Sequence, residues 1–311
     1  MSAVTDQLRP IDRALARVNS VILGKDQQVK LCITCILAEG HLLIEDVPGV
    51  GKTTLAHALA KSLGLNYQRI QFTSDLLPAD IIGVSIYRRE EDAFRFHKGP
   101  IFAQLVLADE VNRATPKTQS ALLEAMEEGQ VTAEGETYGL PQPFFVVATQ
   151  NPAFQIGTFP LPESQLDRFL MRVQLGFPAE HAERALLRDG DQRATLRELE
   201  AVLQGNELLI LQRAVDEVHV SEALLDYVQA IVRFTRESDV FDAGLSPRGA
   251  LALLKAARAW TLLDARSAVL PEDVQAVLGS VVGHRLKARD HAGPTAVSEV
   301  AKVLLESVPV P

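Results

Sequence analysis

The chain has 311 residues, 47% hydrophobic and 23% charged, which suits one large domain or two with a sizeable buried core. Its 40 acidic and 31 basic residues leave a formal charge of −9, which disfavours broad non-specific contact with nucleic acid, and aromatic content of 5% offers no base-stacking platform. The longest uncharged run, residues 137–162, carries Pro141, Pro143, Pro152, Pro160 and Pro162 and cannot span lipid as a helix; the start "MSAVTDQLRP" has no apolar signal core, so a cytoplasmic chain without membrane insertion is expected.

In chain order, "VKLCITCILAEG" (29–40) reads as a buried helix. Its Cys32 and Cys35 act there as small apolar residues; a redox pair is the alternative, and a zinc site lacks further cysteines. "HLLIE" (41–45) is a short buried strand that runs into "IEDVPGVGKTT" (44–54). Gly49 and Gly51 let backbone amides approach phosphate oxygens, Lys52 reaches the β- and γ-phosphates, and Thr53 offers a hydroxyl to Mg²⁺. The pattern G-x-x-x-x-G-K-[ST] wants glycine where Asp46 stands; aspartate tolerates such a strand exit, and its carboxylate is expected to point away from the phosphates. The bland competitor is a Gly-Pro turn with a solvated lysine. Leu55, Leu59 and Leu63 then mark a helix closed by Gly64, with its positive end on the same anion.

"YQRIQFT" (67–73) is the next strand, and "VSIYRREEDAFRFHKG" (84–99) alternates about a charged turn as an inserted hairpin. "IFAQLVLADE" (101–110) is a buried strand ending in Asp109, placed to hold Mg²⁺ through water, and Glu110, placed to polarise an attacking water. Alone, two acids solvating a strand end would explain the pair. Thr115-Pro116 opens a helix through Leu122, Leu123 and Met126 to Gly129, and "QVTAEGETYGL" (130–140) is a second hairpin turning at Glu134-Gly135. After the strand "FFVVATQNP" (144–152), Asn151 either orients water and senses the γ-phosphate or makes an Asx turn before Pro152. "LPESQLDRFLMRVQL" (161–175) gives a short helix and a fourth strand, with Arg168 expected to pair internally with Asp167.

Beyond Pro178 strand signals stop. Residues 179–205 are charged and helical, and Ser221, Ser246-Pro247 and Pro271 each start amphipathic helices. The expected fold class is α/β, a P-loop parallel sheet flanked by helices and followed by a smaller all-α domain. The expected domains are an α/β nucleotide-binding domain over 1–178, a helical connector over 179–205 and a helical domain over 206–311. Arg248 falls just inside a helix start, where the dipole disfavours it by a few tenths of a kcal/mol. His284 and Arg285 are expected on a helix face in surface or packing roles.

Taken together, "IEDVPGVGKTTLAHALA", "LADEVNRATPKTQSALLEAMEEGQVT", "FFVVATQNP", "GTFPLPESQLDRFLMR", "LSPRGALALLKAARA" and "VLPEDV…GHRL" resemble the MoxR family of AAA+ ATPases, in the helix-2-insert clade. The resemblance runs from "VILGKDQ" (21–27) to "GHRLK" (283–287), and members of the family commonly carry a non-glycine residue where Asp46 stands. It implies an ATP-binding Walker A at Pro48, Gly49, Val50, Gly51, Lys52, Thr53 and Thr54, and a Walker B at Asp109 and Glu110 serving Mg²⁺. Asn151 matches sensor 1. Val21, Ile22, Leu23 and Gly24 fall where adenine packs. Arg168 matches the arginine finger, which completes a neighbouring subunit's site and so implies a homo-oligomeric ring, usually a hexamer. Arg248 matches sensor 2 of the helical lid, acting on its own site, a neighbour's, or neither; Arg113 and Arg172 are further candidates to reach across a subunit boundary. The hairpin near 85–97 matches the helix-2 insert, and the one at 130–140 matches the hairpin before sensor 1.

The function implied is ATP hydrolysis by a chaperone-like motor that assists maturation or assembly of client proteins, often ones with a von Willebrand factor A (VWA) domain, and sometimes metal insertion. Two alternatives stand beside it. One is a DNA-remodelling motor, against which the acidic balance counts; the other is a nucleotide-dependent binding switch, against which the presence of both Asp109 and Glu110 counts.

Overall fold

The computed structural model describes residues 2–90, 92–151, 157–190, 193–289 and 297–310; Pro152, and with it the expected turn after Asn151, lies outside the described residues. Two helices, α1 (Ser2–Val21) and α2 (Asp26–Leu37), precede the first strand. Cys32 and Cys35 are wholly buried in α2. Burial pushes the Cys32 thiol up to about 12 and Cys35 well above its usual range, so neither forms the thiolate that redox or metal chemistry requires.

The α/β part runs β1 (Leu42–Glu45), α3 (Lys52–Ser62), β2 (Tyr67–Gln71), α4 (Pro78–Ile82), the hairpin β3 (Gly83–Arg88) and β4 (Ala93–Lys98), then β5 (Leu105–Asp109) and α5 (Pro116–Glu128). A second hairpin, β6 (Gln130–Ala133) and β7 (Glu136–Gly139), leads to β8 (Phe145–Gln150), α6 (Glu163–Leu166) and β9 (Met171–Val173). β2, β5, β8, β1 and β9 lie side by side in that order, every pairing parallel. The strand expected over 101–110 begins only at Leu105, because Pro100 lacks an amide hydrogen and residues 100–102 form a 3₁₀ turn.

Helices cover both sheet faces, which is why the strands read as unbroken apolar runs. Alternate residues serve two cores: Leu42, Ile44, Leu105, Leu107 and Val147 face α3 and its neighbours, while Leu43, Val106, Ala108, Val146 and Ala148 face Leu122 and Leu123 of α5. With all strands parallel, Glu45, Asp109 and Gln150 emerge at one edge.

The remainder is helical: α7 (Glu180–Asp189), α8 (Arg193–Glu198), α9 (Gly205–Asp216), α10 (Glu222–Glu237), α11 (Pro247–Leu263), α12 (Pro271–Val282) and α13 (Val297–Ser307). Ser221 and Ser246 cap as expected, their hydroxyls accepting from the amides of Leu224 (3.3 Å) and Gly249 (3.0 Å). α11 packs on α2, α9 and α12, and the first core continues from the sheet through these helices without a break. His284 and Arg285 lie past the end of α12, in a buried turn rather than on a helix face, because the helix terminates at Val282. No helix among the described residues is long and apolar enough to cross a membrane.

Candidate functional site

The loop after β1 carries Gly49 at φ 88° and Gly51 at φ 95°, a left-handed region that glycine enters without cost. A Cβ built on either meets nothing within 4 Å, so the backbone faces open space. Gly51 begins α3 with no side-chain cap, leaving the first-turn amides to a ligand. Asp46 looks elsewhere: its Oδ1 accepts from the Val47 amide at 2.8 Å and its Oδ2 from the Gly176 amide at 2.6 Å. That agrees with the expectation that its carboxylate leaves the cradle.

Lys52 is buried, donating to the Asp46 carbonyl at 2.6 Å and to Asn151 Oδ1 at 3.1 Å. Burial pulls its ammonium below the usual lysine range, while Asp46, Asp109, Glu110 and Glu45 push the other way. Asn151 also donates from Nδ2 to Glu110 Oε1 at 3.3 Å, so one amide bridges the ammonium and the carboxylate.

Asp109 and Glu110 sit where β5 ends. Thr149 Oγ1 donates to Asp109 Oδ1 at 2.6 Å and accepts from the Glu110 amide at 2.9 Å. Glu110 has φ 57° and ψ 47°, a left-handed conformation that only surrounding constraints hold in a non-glycine residue. Its Oε2 accepts from Arg113 Nη1 at 2.9 Å and from Gln71 Nε2 at 3.2 Å. Arg69, on β2 one strand over, donates to Asp109 Oδ2 from Nε at 3.0 Å and from Nη2 at 2.6 Å. Arg69, Gln71 and Thr149 were not singled out in the sequence, and only their alternation along strands ending at this edge could have flagged them.

The open cradle and the uncapped helix fit a triphosphate, and the Thr53 hydroxyl with the Asp109 carboxylate is the hard-oxygen set that magnesium takes. Among the described residues there is no group of three or more His, Cys, Asp or Glu that could hold a metal ion. Val21 and Ile22 are buried at the end of α1, and the turn they enter abuts residues 176–182: Lys25 donates to the Phe177 carbonyl at 2.6 Å, and a Cβ on Gly24 would meet Ala182 at 3.1 Å. Through Gly176 that turn reaches Asp46 and the phosphate loop.

The two remaining arginines stand apart from this edge. His41, immediately before β1, contacts the Met126 carbonyl at 3.0 Å, so the end of α5 lies at the amino edge of the sheet. There Glu127 Oε2 meets Arg168 Nη2 at 2.9 Å, and Glu127 Oε1 accepts from Arg248 Nη2. Arg168 therefore pairs with Glu127 and not with Asp167, whose Oδ1 accepts from Arg285 at 2.6 Å; neighbours one apart in sequence point in different directions. Arg172 is buried against Glu45 at 2.8 Å and the Gly283 carbonyl at 2.7 Å, which removes it as a candidate to cross a subunit boundary. Arg113 stays beside Glu110 in its own site.

Residues 41–171 match the ATPase family associated with various cellular activities (AAA), and residues 233–304 match an AAA lid domain. "Uncharacterized protein YeaC" of Bacillus subtilis (strain 168) is 44% identical over 99% of this chain and 98% of its own length. "Chaperone MoxR1" of Mycobacterium tuberculosis is 41% identical over 90% of this chain and 76% of its own, and "Protein MoxR" of Paracoccus denitrificans 35% over 88% and 87%. A solved structure from Cytophaga hutchinsonii superposes with a TM-score of 0.89 at 35% identity, covering 99% of this chain and 97% of that one.

Proposed function

Because the chain belongs to the MoxR family of AAA+ ATPases, we propose that it hydrolyses ATP with Mg²⁺ at sites shared between the subunits of a ring, most simply a hexamer, and uses that cycle as a chaperone-like motor on client proteins. The α/β part over 1–178 is then the nucleotide-binding domain, 179–205 a connector and 206–311 the lid. The clients are proteins undergoing maturation or assembly, VWA-domain proteins among them, in the cytoplasm.

One observation carries the shared-site reading. Lys52, Asp109, Glu110 and Asn151 gather at the carboxyl edge of the sheet, while Arg168 and Arg248 sit at the amino edge beside His41. The four residues of β1 hold these edges roughly 13 Å apart, too far for either guanidinium to touch its own γ-phosphate. Each arginine acts instead on the next subunit, whose carboxyl edge it faces in a head-to-tail ring.

Within one site the roles follow from the contacts. Lys52 exchanges its grip on the Asp46 carbonyl for phosphate oxygens. Asn151 keeps Lys52 and Glu110 in register, and Glu110 accepts a hydrogen bond from the attacking water, drawing charge onto the nucleophile. Thr53 and Asp109 are the residues that would hold a magnesium ion, which would supply neutralisation of phosphate charge. Val21, Ile22, Leu23 and Gly24 back the adenine, with Pro48, Val50 and Thr54 shaping the loop around the phosphates.

The test is steady-state hydrolysis with nucleotide binding measured in parallel. Glu110→Gln retains ATP binding and turns over at least ~100-fold more slowly, while Lys52→Ala loses binding. Parental turnover by Lys52→Ala discredits the assignment. A pulldown with the Glu110→Gln protein held in ATP then identifies clients.

A further inference from the structure

Arg168 and Arg248 come from distant parts of the chain, yet Asp167 ties their backbones together. Its Oδ2 accepts from the Ser246 hydroxyl at 3.0 Å, and the same hydroxyl caps α11 two residues before Arg248. Arg285, its side chain 4% exposed, donates to Asp167 Oδ1 at 2.6 Å and to the Phe169 and Leu170 carbonyls at 2.6 and 3.0 Å, fixing the turn that bears Arg168. The roots of both side chains are thus held. Their tips meet on Glu127, one oxygen to each guanidinium. These three side chains line a cavity of about 320 Å³, and Leu251, one turn beyond Arg248 on α11, is 70% exposed at its rim.

We propose that Glu127 is the positioning residue for a two-arginine clamp: its carboxylate holds Arg168 and Arg248 side by side so that both meet a phosphate group of the adjoining subunit's nucleotide. The inference rests on the shared-site reading above. Two guanidinium groups this close repel each other, and without an anion between them they swing apart into solvent. A carboxylate spans them at the spacing of two oxygens on one central atom, which is also how a phosphate presents two of its own. Glu127 therefore sets the arrangement the anion needs before the anion arrives, and yields to it on docking.

Complementation in mixed assemblies tests this. Glu127→Gln alone is expected to bind a fluorescent ATP analogue within about twofold of the parent, since its own cradle is untouched, and to lose at least tenfold in kcat. Glu127→Asp, a shorter carboxylate, should fall between the two; if Glu127→Gln does not fold, as judged by its melting transition, the Asp variant takes its place in the mixtures. Mixing inactive Glu110→Gln with Glu127→Gln in equal amounts should restore about a quarter of the parental rate, the chance that an intact site meets an intact clamp in a random ring. Parental kcat in Glu127→Gln overturns the proposal. So does a Glu110→Gln and Glu127→Gln mixture that stays inactive while Glu110→Gln with Arg168→Ala recovers; that outcome leaves the shared-site reading standing. Failure of both mixtures removes the shared-site reading itself, and the clamp with it.

Discussion

Arg69 pairs with Asp109 through two donors on one oxygen, although about half of its own side chain is exposed. A cation already seated on the carboxylate competes with magnesium, so removing it should ease metal entry. Half-exposed pairs are worth about 1 kcal/mol, which corresponds to roughly a three- to tenfold change in an equilibrium. Arg69→Met is therefore expected to lower, by that factor, the Mg²⁺ concentration giving half-maximal nucleotide binding; an unchanged or raised requirement refutes the competition. Gly51 makes a second local case. At φ 95° an alanine is strained by about 1–2 kcal/mol, and its Cβ would occupy the open face of the cradle. Gly51→Ala should bind ATP at least tenfold more weakly by titration, with only a small fall in melting temperature. Equal affinity would mean that the phosphates do not approach this backbone.

The two hairpins flank α5 and lean on one another through Phe96 and Tyr138, whose rings stack at 4.3 Å, with Phe96 also edge-on to Phe102 at 6.0 Å. Such a stack contributes about 1 kcal/mol. Tyr138→Ala should speed amide exchange across 83–98 severalfold while leaving ATP affinity unchanged, because neither hairpin includes the glycine loop after β1; protection unchanged at 83–98 would show that the hairpins are independent. Both hairpins, the buried strands and the starts of α10, α11 and α12 were legible in the sequence, since alternation, apolar runs and Ser or Pro starts are local signals. The glycine turn after β1 and the helix it opens were legible for the same reason. What could not be read came from tertiary approach. Glu127 looks like any solvated acid near a helix end, and it acquires two arginine partners only because the turn before β9 and the start of α11 both come to the end of α5 at the sheet's amino edge. The left-handed backbone of Glu110 and the grip of Arg69 on Asp109 likewise depend on which strands become neighbours. The supposed Arg168–Asp167 pair failed because adjacency in sequence was taken for adjacency in space.

A single core runs from the sheet into the C-terminal helices, so the stability of the α/β and helical parts is coupled; two buried histidines tie elements together, His41 within the α/β part and His284 between the two parts. His41 bridges β8 and α5: its Nδ1 accepts from the Val146 amide at 3.1 Å, and Nε2 donates to the Met126 carbonyl at 3.0 Å. His284 bonds the Phe169 carbonyl at 2.9 Å from the turn after α12. Burial lowers His41 to about 4 and His284 well below its usual range, the latter with the Arg285 charge adding to the effect. Both are neutral when folded and take up a proton readily only when unfolded. Their contribution is therefore fully present above the ordinary histidine value near 6.5 and is lost as pH falls from there toward the folded value. For His41 alone the loss between pH 7.5 and pH 5 is about 2 kcal/mol, a window that ends above the range where most carboxylates begin to titrate. Urea unfolding of parent and His41→Gln at both pH values isolates it. The glutamine can keep one of the two hydrogen bonds and has no proton to gain, so the variant should be less stable at pH 7.5 by about 1–2 kcal/mol and should lose about 2 kcal/mol less on acidification. An identical acid loss in the two proteins would mean that His41 is not the group that opens the joint between the sheet and α5.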